Sequence, residues 1–196
     1  MTDKGHERVA IVAGVGPGLG AALAHKLVGE GCRVGMFARS PEFIGKLAAE
    51  LGSHALAVPT DVSDAKQVSV GFDKARRQFG PVEILISHAS GSLGESLMKT
   101  TPDQFEGSWR IAALGAFLCA REAAPEMIKR GKGTIIFTGA TSSVRGRGGA
   151  VAFSSAKFAV RGLAQSLAVE LGPQRRSRRA RRHRWCNRYA EGPQDL

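Results

Sequence analysis

A chain of 196 residues with 43% hydrophobic side chains can bury one substantial core and is short for two, which speaks against a multidomain assembly. Its formal net charge of +11 points to nucleic acid only until it is mapped: residues 175–196 hold eight arginines and two acids, a net +6, and the remainder carries +5. The body is therefore mildly basic, and nucleic acid is not the expected partner. Three cysteines, Cys32, Cys119 and Cys186, stand far apart without CxxC spacing, so the expectation is reduced, buried thiols at the first two, with neither a disulfide framework nor a metal site. The amino terminus is charged and then apolar for only about six residues, too few for a signal-peptide core or a membrane span. A soluble, cytoplasmic protein with no membrane partner is expected.

In chain order, the apolar run Arg8–Ala13 ends in glycines, and Leu19–Glu30 sets Leu23, Leu27 and several alanines at helical spacing. That predicts strand, glycine turn, helix. The pattern repeats: Arg33–Ala38 is a second strand, Pro41 opens a helix through Leu51, and Ala55–Val58 is a third strand. Asp64 caps a helix reaching Phe79, and Val82–Ile86 is the fourth strand. One long helix is predicted over Phe105–Arg130, a fifth strand over Gly133–Thr138, and a last helix over Ala152–Leu171. Strands that alternate with helices and are apolar on both faces predict an α/β fold. It is a Rossmann-like, doubly wound parallel sheet between two helix layers, three layers in all. The expected organisation is one such domain over residues 1–172 and an arginine-rich segment over 173–196.

The turn between the first strand and the first helix reads Ala13-Gly14-Val15-Gly16-Pro17-Gly18-Leu19-Gly20. Gly14 permits the tight turn, Gly18 lets backbone approach a pyrophosphate, and Gly20 lets the helix pack closely. The helix N-terminus meanwhile offers free N–H groups and the positive end of its dipole to the anion. The place of the turn, strand before and helix after, gives the glycine pattern its meaning. At the end of the second strand, a carboxylate would bond the ribose 2′-OH of NAD and a base would pair with the 2′-phosphate of NADP. Ala38-Arg39-Ser40 stands there. A guanidinium with no acid beside it favours NADP, with NAD the less favoured cofactor.

The spacing of Gly14, Gly18 and Gly20 resembles the GxxxGxG turn of the short-chain dehydrogenase/reductase family, and later segments agree with it in order and distance over residues 8–172. The resemblance implies an oxidoreductase that moves a hydride between a nicotinamide dinucleotide and a small carbonyl or alcohol substrate. It implies cofactor contacts from Gly14, Gly16, Pro17, Gly18, Leu19, Gly20 and Arg39, and from Asp61 and Val62 at the adenine. It implies further contacts from His88 and Ala89, within Ser87-His88-Ala89-Ser90 where the family has Asn-Asn-Ala-Gly, and from Lys157 at the nicotinamide ribose. A homo-oligomer formed through the helices around residues 105–130 and 152–171 is also implied.

At the reacting end the pattern departs from the family. The Tyr-x-x-x-Lys pair becomes Phe153-Ser154-Ser155-Ala156-Lys157. Residues four apart share a helix face, so Lys157 can still reach a ribose, but Phe153 has no proton to give. The family's helix asparagine falls on Ala112. Its serine, 13 residues before the tyrosine, falls on Ala140; alternatively, a shorter loop brings Ser143 to that role. Ser143 and Lys157 are the candidate catalytic residues. Lowered activity is expected, since general acid catalysis contributes about 10²–10⁴-fold. The rival reading is an NADP-binding relative with weak or no catalysis.

Beyond Gln174 the family would continue into a sixth strand, and this chain instead has Arg175-Arg176-Ser177-Arg178-Arg179 and four further arginines among the residues that follow. A nucleic-acid arm, with arginines interleaved with Trp185, is one reading, and a solvated tail is another. A third is a shifted frame. Read one base later, with permitted synonymous codons, the run encodes Gly-Val-His-Val-Ala-His-Val-Val-Ile-Asp-Gly-Val-Ile-Asp-Thr-Pro, a coherent sixth strand. The out-of-frame end, leaving the fold without its last strands, is the favoured expectation.

Overall fold

β1 (Val9–Ala13) is buried at every residue, as a strand at the centre of a parallel sheet must be. The computed structural model describes residues 7–92 and 94–172; the segment 173–196, Cys186 and the shifted-frame reading lie outside them. The sheet continues with β2 (Arg33–Ala38), β3 (Ala55–Pro59), β4 (Val82–Ser87) and β5 (Thr134–Phe137), all parallel and in the order β3-β2-β1-β4-β5. The chain therefore starts in the middle, winds outward through β2 and β3, then crosses back to β4. This reversal opens a crevice at the carboxyl ends of β1 and β4, where α/β sheets bind ligands.

Six α-helices complete the layers: α1 (Leu19–Gly29), α2 (Pro41–Leu51), α3 (Ala65–Phe79), α4 (Pro102–Trp109), α5 (Gly115–Arg130) and α6 (Val151–Leu171). The strand alternation sorts the core into two. Ala10 and Val12 of β1 face Ala24 of α1 and Ile44 and Leu47 of α2, whereas Val9, Ile11 and Ala13 face Val68 and Phe72 of α3 and Cys119, Ala123 and Met127 of α5. The caps are legible. Asp64 accepts from the N–H groups of Lys66 and Gln67 at the start of α3, and Thr101 with Gln104 forms a reciprocal capping pair at the start of α4. Arg76 binds Glu122 at 3.2 Å and Glu126 at 3.3 Å, tying α3 to α5. At the opposite end of the sheet from the crevice, buried Glu83 lies 3.4 Å from both Arg130 and Lys132.

The long helix predicted over Phe105–Arg130 is two helices joined by a π-turn over Arg110–Leu114, where the Gly115 N–H reaches back to the Arg110 carbonyl. Apolar periodicity cannot register one extra residue per turn, so the sequence reading merged them. The cause of close packing here is Gly115: a Cβ on it would stand 2.8 Å from Val62 Cγ2. Leu163, Leu167 and Leu171 of α6 are half-buried, the latter two against the α3–α5 side of the core. Cys32 and Cys119 are buried and free of disulfides, and burial pushes the Cys119 thiol up to about 12. Among the described residues no helix is long and apolar enough to cross a membrane.

Candidate active site

The crevice is a cleft of about 650 Å³ running across the ends of β2, β1, β4 and β5. Its floor is the glycine turn. Gly14 has φ +104°, and a Cβ on it would meet the Ala89 nitrogen at 2.4 Å. The β1 and β4 loops thus pack backbone to backbone, and only glycine fits. A Cβ on Gly20 would meet the Gly14 carbonyl oxygen at 2.7 Å, which is how α1 comes to lie directly against the turn. Gly16 and Gly18 differ: each lines the cleft, and nothing lies within 4 Å of where a Cβ would be. The first two glycines build the turn, and the second two leave open room above it for a ligand's phosphates. Gly18 also precedes α1, whose first turn carries no acid to oppose an anion. The donor set and the open cradle fit a dinucleotide.

Toward the outer strands, Arg39 and Ser40 line the cleft at the end of β2, and Asp61 and Val62 line it after β3. Asp61 Oδ1 accepts from the N–H and the hydroxyl of Ser63 at 2.9 and 2.7 Å, which fixes the carboxylate's direction. Glu42, in the first turn of α2, accepts the Ser40 hydroxyl at 3.1 Å and is outside the cleft lining.

At the other end, three elements are joined by hydrogen bonds. Thr138, just past β5, donates its N–H to the Ser87 carbonyl at 3.1 Å and its hydroxyl to the same oxygen at 3.4 Å. His88 Nδ1 is hydrogen-bonded to that same hydroxyl, 3.0 Å away. Lys157 Nζ donates to the Thr138 carbonyl at 3.1 Å and lies 5.7 Å from the centre of the Phe153 ring. Burial lowers the Lys157 pKa, and burial followed by the Lys157 charge lowers that of His88. The imidazole is neutral near pH 7.

Of the residues expected from sequence, the structure brings Gly14, Gly16, Gly18, Leu19, Gly20, Arg39, Asp61, Val62, His88, Ala89 and Lys157 to this one cleft. It does not bring Pro17, which is exposed and absent from the lining. Nor does it bring Ser143. That side chain is 1% exposed, and its hydroxyl accepts from the Ala140 N–H at 3.1 Å within a short 3₁₀ turn. A hydroxyl that closes its own turn is placed to hold the loop rather than to meet a substrate. Ala112 sits buried in the π-turn. Sequence reading missed Thr138, the hub of the network. Its signal was its place at the carboxyl end of a parallel strand, where such crevices form.

Residues 8–175 match the family model described as short chain dehydrogenase. The chain belongs to the short-chain dehydrogenase family. A short-chain dehydrogenase/reductase of Armillaria gallica is 31% identical over 199 residues, covering 98% of this chain and 73% of that one. Among solved structures, a short-chain dehydrogenase from Rhodopseudomonas palustris is 34% identical with a TM-score of 0.78, covering 84% of this chain and 78% of that one. A 3-ketoacyl-(acyl-carrier-protein) reductase from Brucella melitensis, complexed with NADH, is 26% identical with a TM-score of 0.80, covering 85% and 71%. The chain spans 59–73% of the length of seven curated relatives that it matches. An oxidoreductase fold that binds a nicotinamide dinucleotide follows from this membership.

Proposed function

We propose that the protein is an NADP-dependent oxidoreductase acting on a carbonyl or alcohol, with its rate held down at the proton-transfer step. The observation that carries the reading is that one cleft holds Arg39 at the end of β2 and Lys157 at its far end, with the open backbone of Gly16 and Gly18 between them. A guanidinium is suited to a 2′-phosphate in bidentate fashion, and the nearest carboxylate on α2, Glu42, is turned to Ser40. Gly16, Gly18 and the α1 N-terminus would hold the pyrophosphate, Asp61 and Val62 the adenine, and Lys157 the nicotinamide ribose. The bound nicotinamide supplies or accepts the hydride. The domain that does this is residues 1–172, with Pro17 within the glycine turn and Ser143 bracing the loop.

The weak-catalysis alternative is favoured by one specific feature. Phe153 occupies the lining at the place of the family's acid, one helical turn from Lys157, and offers an apolar ring where a proton donor is needed. Calorimetric titration with NADP and NAD tests the cofactor assignment. NADP is expected to bind roughly ten- to a hundredfold more tightly, and Arg39→Asp to remove that preference. Equal affinity of the parent for both cofactors overturns it.

A further inference from the structure

We propose that the substrate carries an oxyanion, a carboxylate or phosphoryl group, seated on Arg145 and Arg147. This rests on the oxidoreductase reading above and names its substrate class. A second cavity, of about 710 Å³, adjoins the cofactor cleft and shares Ala140 and Phe153 with it. It therefore lies just beyond the reacting end, where a substrate must approach the nicotinamide. Arg145 and Arg147 line it, and both are exposed.

Three observations make this cavity an anion site rather than a solvated loop. Neither arginine has an ion-pair partner among the described residues; the Glu95 carbonyl accepts from the Val151 N–H, at the start of α6, at 3.4 Å. The helix that begins there, α6, has no acid in its first turn and no side-chain cap. Its positive end thus adds to the same field. The backbone around Gly146, Gly148 and Gly149 is open, with nothing within 4 Å of where their Cβ atoms would be. A planar oxyanion can reach the guanidinium forks unobstructed.

The pair is not a second arm of the 2′-phosphate site. Arg39 ends β2, whereas the cavity lies beyond β5, three strands away across the sheet, about 14 Å at the usual strand spacing. Between the arginines and the reacting centre lies the Phe153 ring, a flat apolar wall for the carbon skeleton. The fitting class is an oxo- or hydroxy-acid, or a phosphorylated carbonyl or alcohol.

The test uses the full chain. NADPH is first titrated calorimetrically, and the saturated complex is then titrated with para-formylbenzoate, para-formylphenyl phosphate and the neutral isostere para-formylbenzamide. At low salt at least one of the anions is expected to bind about five- to tenfold more tightly than the amide, and the preference should shrink at high salt. R145Q/R147Q should bring the probes to parity, and R145K/R147K should keep part of the preference. The tighter anion identifies carboxylate or phosphoryl as the preferred group. Parity in the parent, or a preference unchanged in R145Q/R147Q, overturns the proposal while leaving the cofactor reading intact. Failure of NADPH itself to bind overturns the reading beneath it.

Discussion

At the β1–β2–β3 end of the cleft the work falls mostly to backbone and small residues, and the geometry needed for a dinucleotide is present. At the β4–β5–α6 end the chemistry depends on particular side chains, and two of them are Phe153 and Ala112. A glycine turn is fixed by sterics that hold the fold itself together, since Gly14 touches Ala89 and Gly20 touches Gly14. An acid at position 153 is tied to the fold by nothing: a phenyl ring packs there beside Lys157 without disturbing it. Binding is thus embedded in folding in this molecule, and proton transfer is separable from it.

The sharpest way to break this comparison is Phe153→Tyr, which returns an acid to an otherwise undisturbed helix. Single-turnover oxidation of NADPH in the presence of an aldehyde should accelerate by up to about 10²–10⁴-fold. A fast parent, unchanged by the substitution, would show that another group already gives the proton. Next in size is Gly14→Ala. With φ at +104° and backbone 2.4 Å from the new methyl, the variant should lose on the order of 3 kcal/mol in urea denaturation. Unaltered stability would mean that the β1–β4 contact is not the rigid element described above.

Two smaller effects sharpen the contrast. Gly16→Ala adds its methyl to open space, so urea stability should move by no more than about 0.5 kcal/mol, while NADP affinity falls in calorimetry; a reversed result would exchange the roles of the two glycines. The smallest effect concerns His88, whose folded pKa is depressed. The unfolded chain then binds the proton more readily, so stability is full above the ordinary histidine range, near 6.5. It declines as pH falls from there toward the lower folded value. Denaturant midpoints at pH 7 and pH 5.5 should show a fall in the parent that is smaller in His88→Asn.

What sequence could tell differed between the same two regions. Strand and helix existence was legible because buried parallel strands and amphipathic helices carry their own periodicities. The sequence bounds for α2, opened by Pro41 and running through Leu51, and for α3, capped by Asp64 and reaching Phe79, match the structure. The glycine turn was legible because its residues and its setting are contiguous. Ser143 was placed by counting along a loop, and a count cannot reveal that the hydroxyl turns inward to Ala140. Thr138 went unnoticed because its role comes from His88, 50 residues earlier, and Lys157, 19 residues later, meeting across strand ends. Such meetings belong to topology, and local pattern is blind to them.

The sheet also has an uneven exterior. Ile136 of β5 pairs with Ile86, on the side where α1 and α2 cover the inner strands. It is 37% exposed, and α1 and α2 do not reach it. Among the described residues, apolar coverage therefore runs out on one face of β5, while the opposite face, under α5 and α6, stays closed.

The π-turn between α4 and α5 sets the phase of everything after it. An α-helix turns by about 100° per residue, so one residue more or less over 110–114 rotates the whole of α5 by that angle about its own axis. The stripe of Cys119, Ala120, Ala123 and Met127, buried against the sheet, would swing toward solvent, and so would Ala116, buried against α6. Arg121 and Arg130, on other faces, would swing with it, and Arg130 would leave Glu83. Single substitutions in the turn are local events, whereas a one-residue deletion is a change of phase carried along sixteen residues of helix. In this part of the chain length is more tightly constrained than composition, and the alanine at 112 is tolerated where its absence would not be.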